Sequence, residues 1–383
     1  MAWNKPDTKM NTHMNTITGA SVAAGTLPAA ANTRVPVYRA LGLQTRTIAV
    51  NQMTVEAARA RMLATTERMG RQIRAAKGFV GQDLKLVVLP EYCLTGFPMG
   101  ESLPEWIAKG CLAPDGVEYT ALAAVAQQNG VWLAANNYET DAHFPGLYFQ
   151  ASTLFSPSGD CALRYRRLVS LYAPTPHDVW PAYLDHYGLE GVFPVANTPL
   201  GRMAAIASEE ILYPEIARAL ALRGAEVFLH STSEVGSPQL TPKDVAKRAR
   251  AYENMAYVVS ANSGGLEGCD IPAESTDGMS KVVDWEGRVL AEAGFGESMV
   301  AHAEIDIEAL RRWRLRPGMS NILSRQRTEL FAPVYGGRSV HAPGSLLDAN
   351  GQLRIPTRAE FAQRQREAIA GLVTAGIYKD PAQ

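Results

Sequence analysis

The feature that most limits what this chain can fold into is an alternation: short apolar runs of strand length are separated by longer stretches with helical spacing of apolar residues. Residues 38–44 (YRALGLQ) read as a first strand, and residues 55–77 carry the apolar spacing and Ala/Arg/Glu content of a long helix. The run LVVL at 86–89 reads as a buried strand that stops at Pro90. A helix over 119–128 and a strand over 131–135 repeat the cycle, and a strand over 151–155 turns through SPSG into another over 160–167. Residues 203–207 form a strand, 214–223 a helix closed by Gly224, and 226–230 a strand. Thr241, Pro242 and Asp244 supply an N-cap, a first-turn proline and an early acid for a helix that ends near Met255. A strand over 256–261 follows, and 280–284 pairs with 289–293 across the WEGR turn.

Strands and helices that alternate this way predict a layered α/β fold, and the hairpins make part of the sheet antiparallel. One domain over 36–307 is the economical division. Beyond Asp306 the pattern changes to Arg311, Arg312, Arg314 and Arg316, then an irregular Gly/Pro-containing segment and a helix near 358–375. This C-terminal extension, 308–383, has too few apolar residues for a core of its own and is expected to be an oligomerisation arm. Residues 1–35, rich in Thr, Ala, Asn and Gly, read as a flexible tail; their weakly apolar stretch is broken by polar residues and is poor material for an export signal.

Composition narrows the function classes. With 37 basic and 38 acidic residues the formal net charge is -1, which offers no broad attraction for nucleic acid or anionic membrane. No apolar run approaches the roughly 20 residues that span a bilayer. Cys93, Cys111, Cys161 and Cys269 lack the spacing of a zinc site or disulfide framework, so a reducing cytoplasm and no metal or other cofactor are expected. A small uncharged or mixed-charge ligand is the expected partner.

Polar residues at the ends of buried strands are where α/β proteins place their chemistry. Glu91 follows LVVLP, Glu139 lies past the 131–135 strand, Arg166 and Arg167 end the CALRYRR strand, and Ser208 and Glu209 end MAAIA. The loop 171–193, aromatic and proline-rich, is of the size that shapes a pocket mouth.

The segments LKLVVLPEYCLTGFP, NNYE, LRYRRL, GRMAAIASEEILYPEIARALALRGAEVFL, AKRARAYENMAYVVSANSGG and SKVVDWEGRVLAEAG resemble, in this order and spacing, the successive signatures of the nitrilase family of carbon–nitrogen hydrolases. The resemblance implies a four-layer αββα sandwich, self-association to at least a homodimer, and a Glu-Lys-Cys triad that is helped by a second glutamate and cleaves amides or nitriles through a thioester. Carried over by position, Glu91 matches the general base and Glu139 the second glutamate. Arg167 stands where the family lysine follows its YR pair, and Ser208, six residues before Pro214, stands at the cysteine.

The two replacements change the chemistry. A cysteine becomes a thiolate at modest cost, whereas a serine hydroxyl must lose its proton to a base during attack. Glu91 is the base the resemblance supplies. A lysine donates and accepts protons; arginine stays charged and only donates hydrogen bonds, so Arg167 suits an oxyanion or a carboxylate. Structural alternatives stand beside each role. Glu91 could cap a turn, Arg167 could pair with Glu91 or Glu139, and Ser208 could be a small residue at a tight turn. Glu209 and Glu210 crowd carboxylates there, which would raise the pKa of at least one if all are buried. Cys93 reads as a buried thiol rather than a displaced nucleophile, and His177, His186 and His230 lack metal spacing. Tyr148, Trp180 and Tyr183 could line the pocket mouth or simply pack, and Arg250 with Glu253 reads as an i,i+3 helix pair. The expectation is a hydrolase or acyl transferase acting on a non-peptide carbon–nitrogen bond of a small amide through Glu91, Arg167 and Ser208 with Glu139. The alternative is an inactive relative that binds a small ligand or a protein.

Overall fold

The computed structural model describes residues 34–237, 239–337, 339–379 and 381. The tail expected over 1–35 therefore lies, apart from its last two residues, outside the described residues. In chain order the first half contains β1 (Tyr38–Gly42), the two-residue β2 (Thr47–Ile48), α1 (Val55–Val80), β3 (Leu84–Val88), α2 (Leu103–Gly110), β4 (Cys111–Leu112), α3 (Val117–Asn129), β5 (Trp132–Thr140), β6 (Tyr148–Phe155) and β7 (Cys161–Arg166). After α4 (Trp180–Val192) come β8 (Ala196–Thr198), β9 (Gly201–Ala207), α5 (Pro214–Leu222), β10 (Val227–Ser231), α6 (Pro242–Asn254), β11 (Tyr257–Ala261), β12 (Leu266–Glu267), β13 (Lys281–Val283), β14 (Val289–Glu292), β15 (His302–Ile305) and α7 (Ile307–Arg314). The short α8 (Ala332–Gly336) and α9 (Arg358–Thr374) follow.

Two large mixed sheets result. The first runs β15-β1-β3-β5-β6-β7 with β4 added beside β5; the second runs β14-β13-β11-β10-β9-β8. Side-chain alternation shows how they stack. Ala40, Leu86, Val88 and Ala134 of the first sheet share one cluster with Met203, Ala205, Leu229 and Val259 of the second. The intervening Leu41, Val87 and Leu133 point the other way, onto Met69 and Ile73 of α1 and Leu122 of α3. Ala204, Ile206 and Phe228 likewise meet Ile216 and Leu220 of α5 and Ala246 of α6. Helices cover both outer faces and the sheets bury their inner faces against each other, giving the αββα sandwich. The sheets approach closely at Gly42, where an added Cβ would lie 2.5 Å from the Ser260 carbonyl oxygen, so only glycine fits.

Local chemistry sets the ends of the elements. Thr54 accepts from the Ala57 amide to cap α1, and Thr241 with Asp244 forms the capping box that opens α6 behind Pro242. The segment 171–193, expected as a loop, instead contains α4, with non-helical geometry at Gly188. Its Pro181 fits a first helical turn, but Gly188 and Gly191 mask the helical pattern in the sequence.

The extension beyond residue 307 folds back on the domain. Ile307 and Leu310 of α7 enter the cluster between the sheets, and Leu346 and Phe361 are buried with Trp106, Phe149 and Tyr183. Residues 35–383 form one compact unit. Among the described residues no helix is long and apolar enough to cross a membrane.

Candidate active site

Two strand ends turn sharply at the same place. After β3 the chain passes Leu89, Pro90 and Glu91 to Tyr92 at φ 35°; after β9 it enters a 3₁₀ turn at Ser208 with φ 50°. Both are side-chain-bearing residues in the left-handed region, a conformation costing on the order of 1–3 kcal/mol that persists only where the surroundings enforce it. At Ser208 the enforcing groups are visible. His230 Nε2 is 2.9 Å from the Ser208 carbonyl oxygen and its Nδ1 is 2.8 Å from Ser260 Oγ. Burial first, then the charges of Lys247 and Lys243, push the His230 pKa well down, so its neutral ring donates to that carbonyl and accepts from Ser260. Glu210 accepts from the Leu168 and Val169 amides at 2.7 and 3.0 Å and from Tyr165 Oη at 2.7 Å.

Because β3 and β9 lie in facing sheets, their turns open into one cavity of about 660 Å³ lined by Glu91, Arg167 and Ser208 together with Gln150, Glu209 and Lys243. Tyr92, Phe97, Tyr138 and Tyr148 supply aromatic wall, and Arg358 enters from the start of α9. Tyr138 stacks on Tyr92 with ring centres 5.9 Å apart and meets Tyr148 edge-on at 5.4 Å.

The polar floor is a closed network. Glu91 Oε1 accepts from Gln150 Nε2 at 2.7 Å and from the Arg167 guanidinium at 3.3 Å. Gln150 also accepts from Arg167 at 2.8 Å and donates to Asn136 Oδ1 at 2.9 Å. Arg167 further donates to the Val169 carbonyl at 2.7 Å and pairs with Glu209. Of its five N–H groups four are thus engaged, which leaves one on the nitrogen that faces Glu209. Burial works against its charge, but Glu91, Glu209 and Glu210 together raise its pKa above the ordinary arginine value. Glu210 is raised, but not chiefly through the expected crowding of carboxylates. Burial is the main cause that pushes it up to about 7, against the opposing pull of Arg167 and of its hydrogen bonds.

Glu139 is elsewhere. In β5 the alternate residues Asn136 and Tyr138 face the cavity side, so Glu139 faces α3. There, fully buried, it accepts from Tyr119 Oη at 3.0 Å and pairs with Arg166 at 2.9 Å, with Arg164 2.8 Å away. The expectation that it shares the cavity with Ser208 is corrected by the strand's register; its polar environment is a buried ion-pair cluster behind the sheet. Cys93 is also outside the cavity lining, and burial pushes its thiol up to about 12, the state of an inert core thiol. Tyr148 lines the cavity, whereas Tyr183 packs on Phe144 and Phe149. Arg250 pairs with Glu253 at 2.7 Å and also donates to the Ile211 and Leu212 carbonyls.

Gln150, Lys243 and Arg358 were not anticipated as lining groups. Lys243 Nζ is 3.3 Å from Ser208 Oγ and 3.3 Å from Thr232 Oγ1. In the sequence it stands in the TPKD run, which announces a helix start and nothing more, while Arg358 lies 150 residues past Ser208 with no motif around it. Among the described residues no group of three or more His, Cys, Asp or Glu side chains is placed to hold a metal ion.

Comparison with known proteins agrees with this architecture. The family model described as carbon–nitrogen hydrolase matches residues 47–315. A formamidase of Pseudomonas syringae is 25% identical over 276 residues, covering 72% of this chain and 75% of its own. A nitrilase of Pyrococcus abyssi is 28% identical over 252 residues, covering 65% of this chain and 87% of its own. Among solved structures, a carbon–nitrogen hydrolase from Helicobacter pylori superposes with a TM-score of 0.59 at 21% identity, covering 78% of this chain and 99% of that one, which speaks for the fold. A match through most of the sandwich, from β2 to the end of α7, places this chain in the carbon–nitrogen hydrolase family, alongside the nitrilases.

Proposed function

We propose that the protein cleaves the carbon–nitrogen bond of a small amide, as a hydrolase or acyl transferase, with Ser208 as the nucleophile. The observation that carries this reading is the position of Ser208: a strained turn between β9 and the following 3₁₀ turn presents it in the same cavity as the Glu91–Arg167 pair. Strain at a nucleophile is a recurring way of holding its oxygen clear of the strand. The names of the relatives, formamidase and nitrilase, support a small carbonyl or nitrile substrate.

In this reading Ser208 Oγ attacks the carbonyl carbon, its proton passing to a base in the cavity and the carbonyl π pair moving to oxygen. The remaining guanidinium hydrogen of Arg167 is available to the oxyanion, while Gln150 and Arg167 hold Glu91 by one oxygen. The other oxygen is left to accept from the substrate N–H and then from the water that releases the acyl group. The aromatic wall limits the acyl portion to a flat or slender group.

Ammonia release from formamide, acetamide and propionamide tests the proposal in wild type, Ser208→Ala and Glu91→Gln. The expected result is wild-type turnover that Ser208→Ala abolishes and Glu91→Gln lowers by about 10²–10⁴-fold. Equal turnover in wild type and Ser208→Ala would refute the serine role. Amide binding without turnover in any form would mark a binding protein instead.

A further inference from the structure

We propose that Lys243, rather than Glu91, exchanges the proton with Ser208, so that the working centre is a hydroxyl–amine–hydroxyl array of Ser208, Lys243 and Thr232. The inference rests on the reading of Ser208 as nucleophile. Among the described residues the side chain hydrogen-bonded to Ser208 Oγ is Lys243, at 3.3 Å, and Thr232 Oγ1 holds the same nitrogen at 3.3 Å. Glu91 is held through one oxygen by Gln150 and Arg167, and no hydrogen bond joins it to Ser208 Oγ among the described residues.

Two features distinguish Lys243 from a surface lysine. The neighbouring lysines are neutralised: Lys247 pairs with Glu234 and Asp244, and Lys281 with Asp244 and Glu292. Lys243 has no carboxylate partner among the described residues; its contacts are the two hydroxyls. Its position is also built. Pro242 and the Thr241–Asp244 capping box set the first turn of α6, and Arg250 fastens the same helix to the Ser208 turn through the Ile211 and Leu212 carbonyls at 2.9 and 3.0 Å. The approach of amine to hydroxyl is thus determined by secondary structure rather than by a flexible chain alone.

The chemistry closes without a further reactant. As Oγ bonds to the carbonyl carbon, its proton passes to the Lys243 amine and the carbonyl π pair moves to oxygen. When the intermediate collapses, the carbon–nitrogen bond breaks and the Lys243 ammonium gives that proton to the departing nitrogen, which leaves as ammonia or an amine. Water then attacks the acyl-serine ester, yields a proton to Lys243, and Lys243 returns it to Ser208 as the acid is released. A serine–lysine pairing is an established alternative to serine–histidine.

Stopped-flow release of p-nitrophenol from p-nitrophenyl acetate by the full chain reads the acylation step directly. Lys243→Arg keeps the cation and the donor but cannot take a proton; it is expected to acylate about 10²-fold or more slowly than wild type. Lys243→Cys is expected to be equally slow and to recover on aminoethylation with bromoethylamine. Wild type treated identically controls for modification of Cys161 and Cys269, the cysteines that are not buried. Acylation of Lys243→Arg at the wild-type rate, or aminoethylation that restores nothing, would overturn the inference and leave the serine reading standing. Acyl transfer onto another residue in wild type would overturn both.

Discussion

Glu210 gives the most quantitative handle on the strained turn. Its carboxyl is buried, with a pKa pushed up from 4.5 to about 7. Below 4.5 the group is protonated whether the chain is folded or not, and it contributes no pH dependence. Between 4.5 and about 7 the unfolded chain has released the proton and the folded chain still holds it, so stability falls as pH rises; above about 7 both have released it and the loss is complete. At 1.36 kcal/mol per pH unit, the accumulated loss is about 3 kcal/mol. Glu210→Gln imitates the protonated form. Its oxygen can accept from the Leu168 and Val169 amides while its NH₂ donates to Tyr165 Oη, whose hydroxyl can turn to accept. The weaker contact from the Ala207 amide at 3.3 Å is lost. Urea unfolding at pH 5 and pH 8 is the assay. The variant should be close to wild type at pH 5 and more stable than wild type by up to about 3 kcal/mol at pH 8. A difference between the two proteins that does not change with pH would refute the reasoning.

Three further outcomes follow from the geometry. Glu139→Gln should destabilise by about 1–3 kcal/mol, because Arg166 loses one of its two buried carboxylate partners and keeps Asp141 at 2.5 Å, yet leave kcat/KM of the folded enzyme unchanged; thermal melting and turnover measured on one sample separate the two. The double variant Arg167→Lys with Ser208→Cys restores an ammonium and a thiol to the Glu91 side of the cavity and should release ammonia from small amides; no activity in a folded double variant would show that Gln150 and Glu209 hold the floor in a form the family chemistry cannot use. Arg358→Ala removes the group by which the C-terminal segment closes on the cavity and on the Glu101 carbonyl; KM should rise about tenfold with kcat little changed, the size of one charged hydrogen bond.

The sandwich was legible because the amphipathic pattern of α1 and the caps of α6 are local, and because apolar strands between helices leave few other ways to bury both faces. The place of Glu139 was not. In β5 both faces are covered, so WLAANNYE has no alternation to tell which side each residue takes, and the expected strand ended at 135 while the real one continues to Thr140. With the strand extended, a single step of register separates Tyr138 in the cavity from Glu139 behind the sheet. Glu91, Arg167 and Ser208 were found because each ends a strand, where position in the sequence implies position in space. Lys243 and Arg358 reach the cavity from helix starts, and their approach depends on how α6 and α9 lie on the sandwich, which no local pattern encodes. The α4 helix was hidden for the opposite reason: its proline, glycines and aromatic residues carry weak helical preference, and packing on Phe144 and Phe149 overrides it.

The claim on which the rest depends is that the hydroxyl at 208 forms a covalent bond to an acyl carbon. Peptide-mapped mass spectrometry of wild-type protein, quenched in acid within the first turnover of p-nitrophenyl acetate, measures this directly. The account predicts one acetyl group, on the peptide containing Ser208 and absent from that peptide in Ser208→Ala. An unmodified Ser208 peptide, or an acetyl group carried equally by Ser208→Ala, would contradict it.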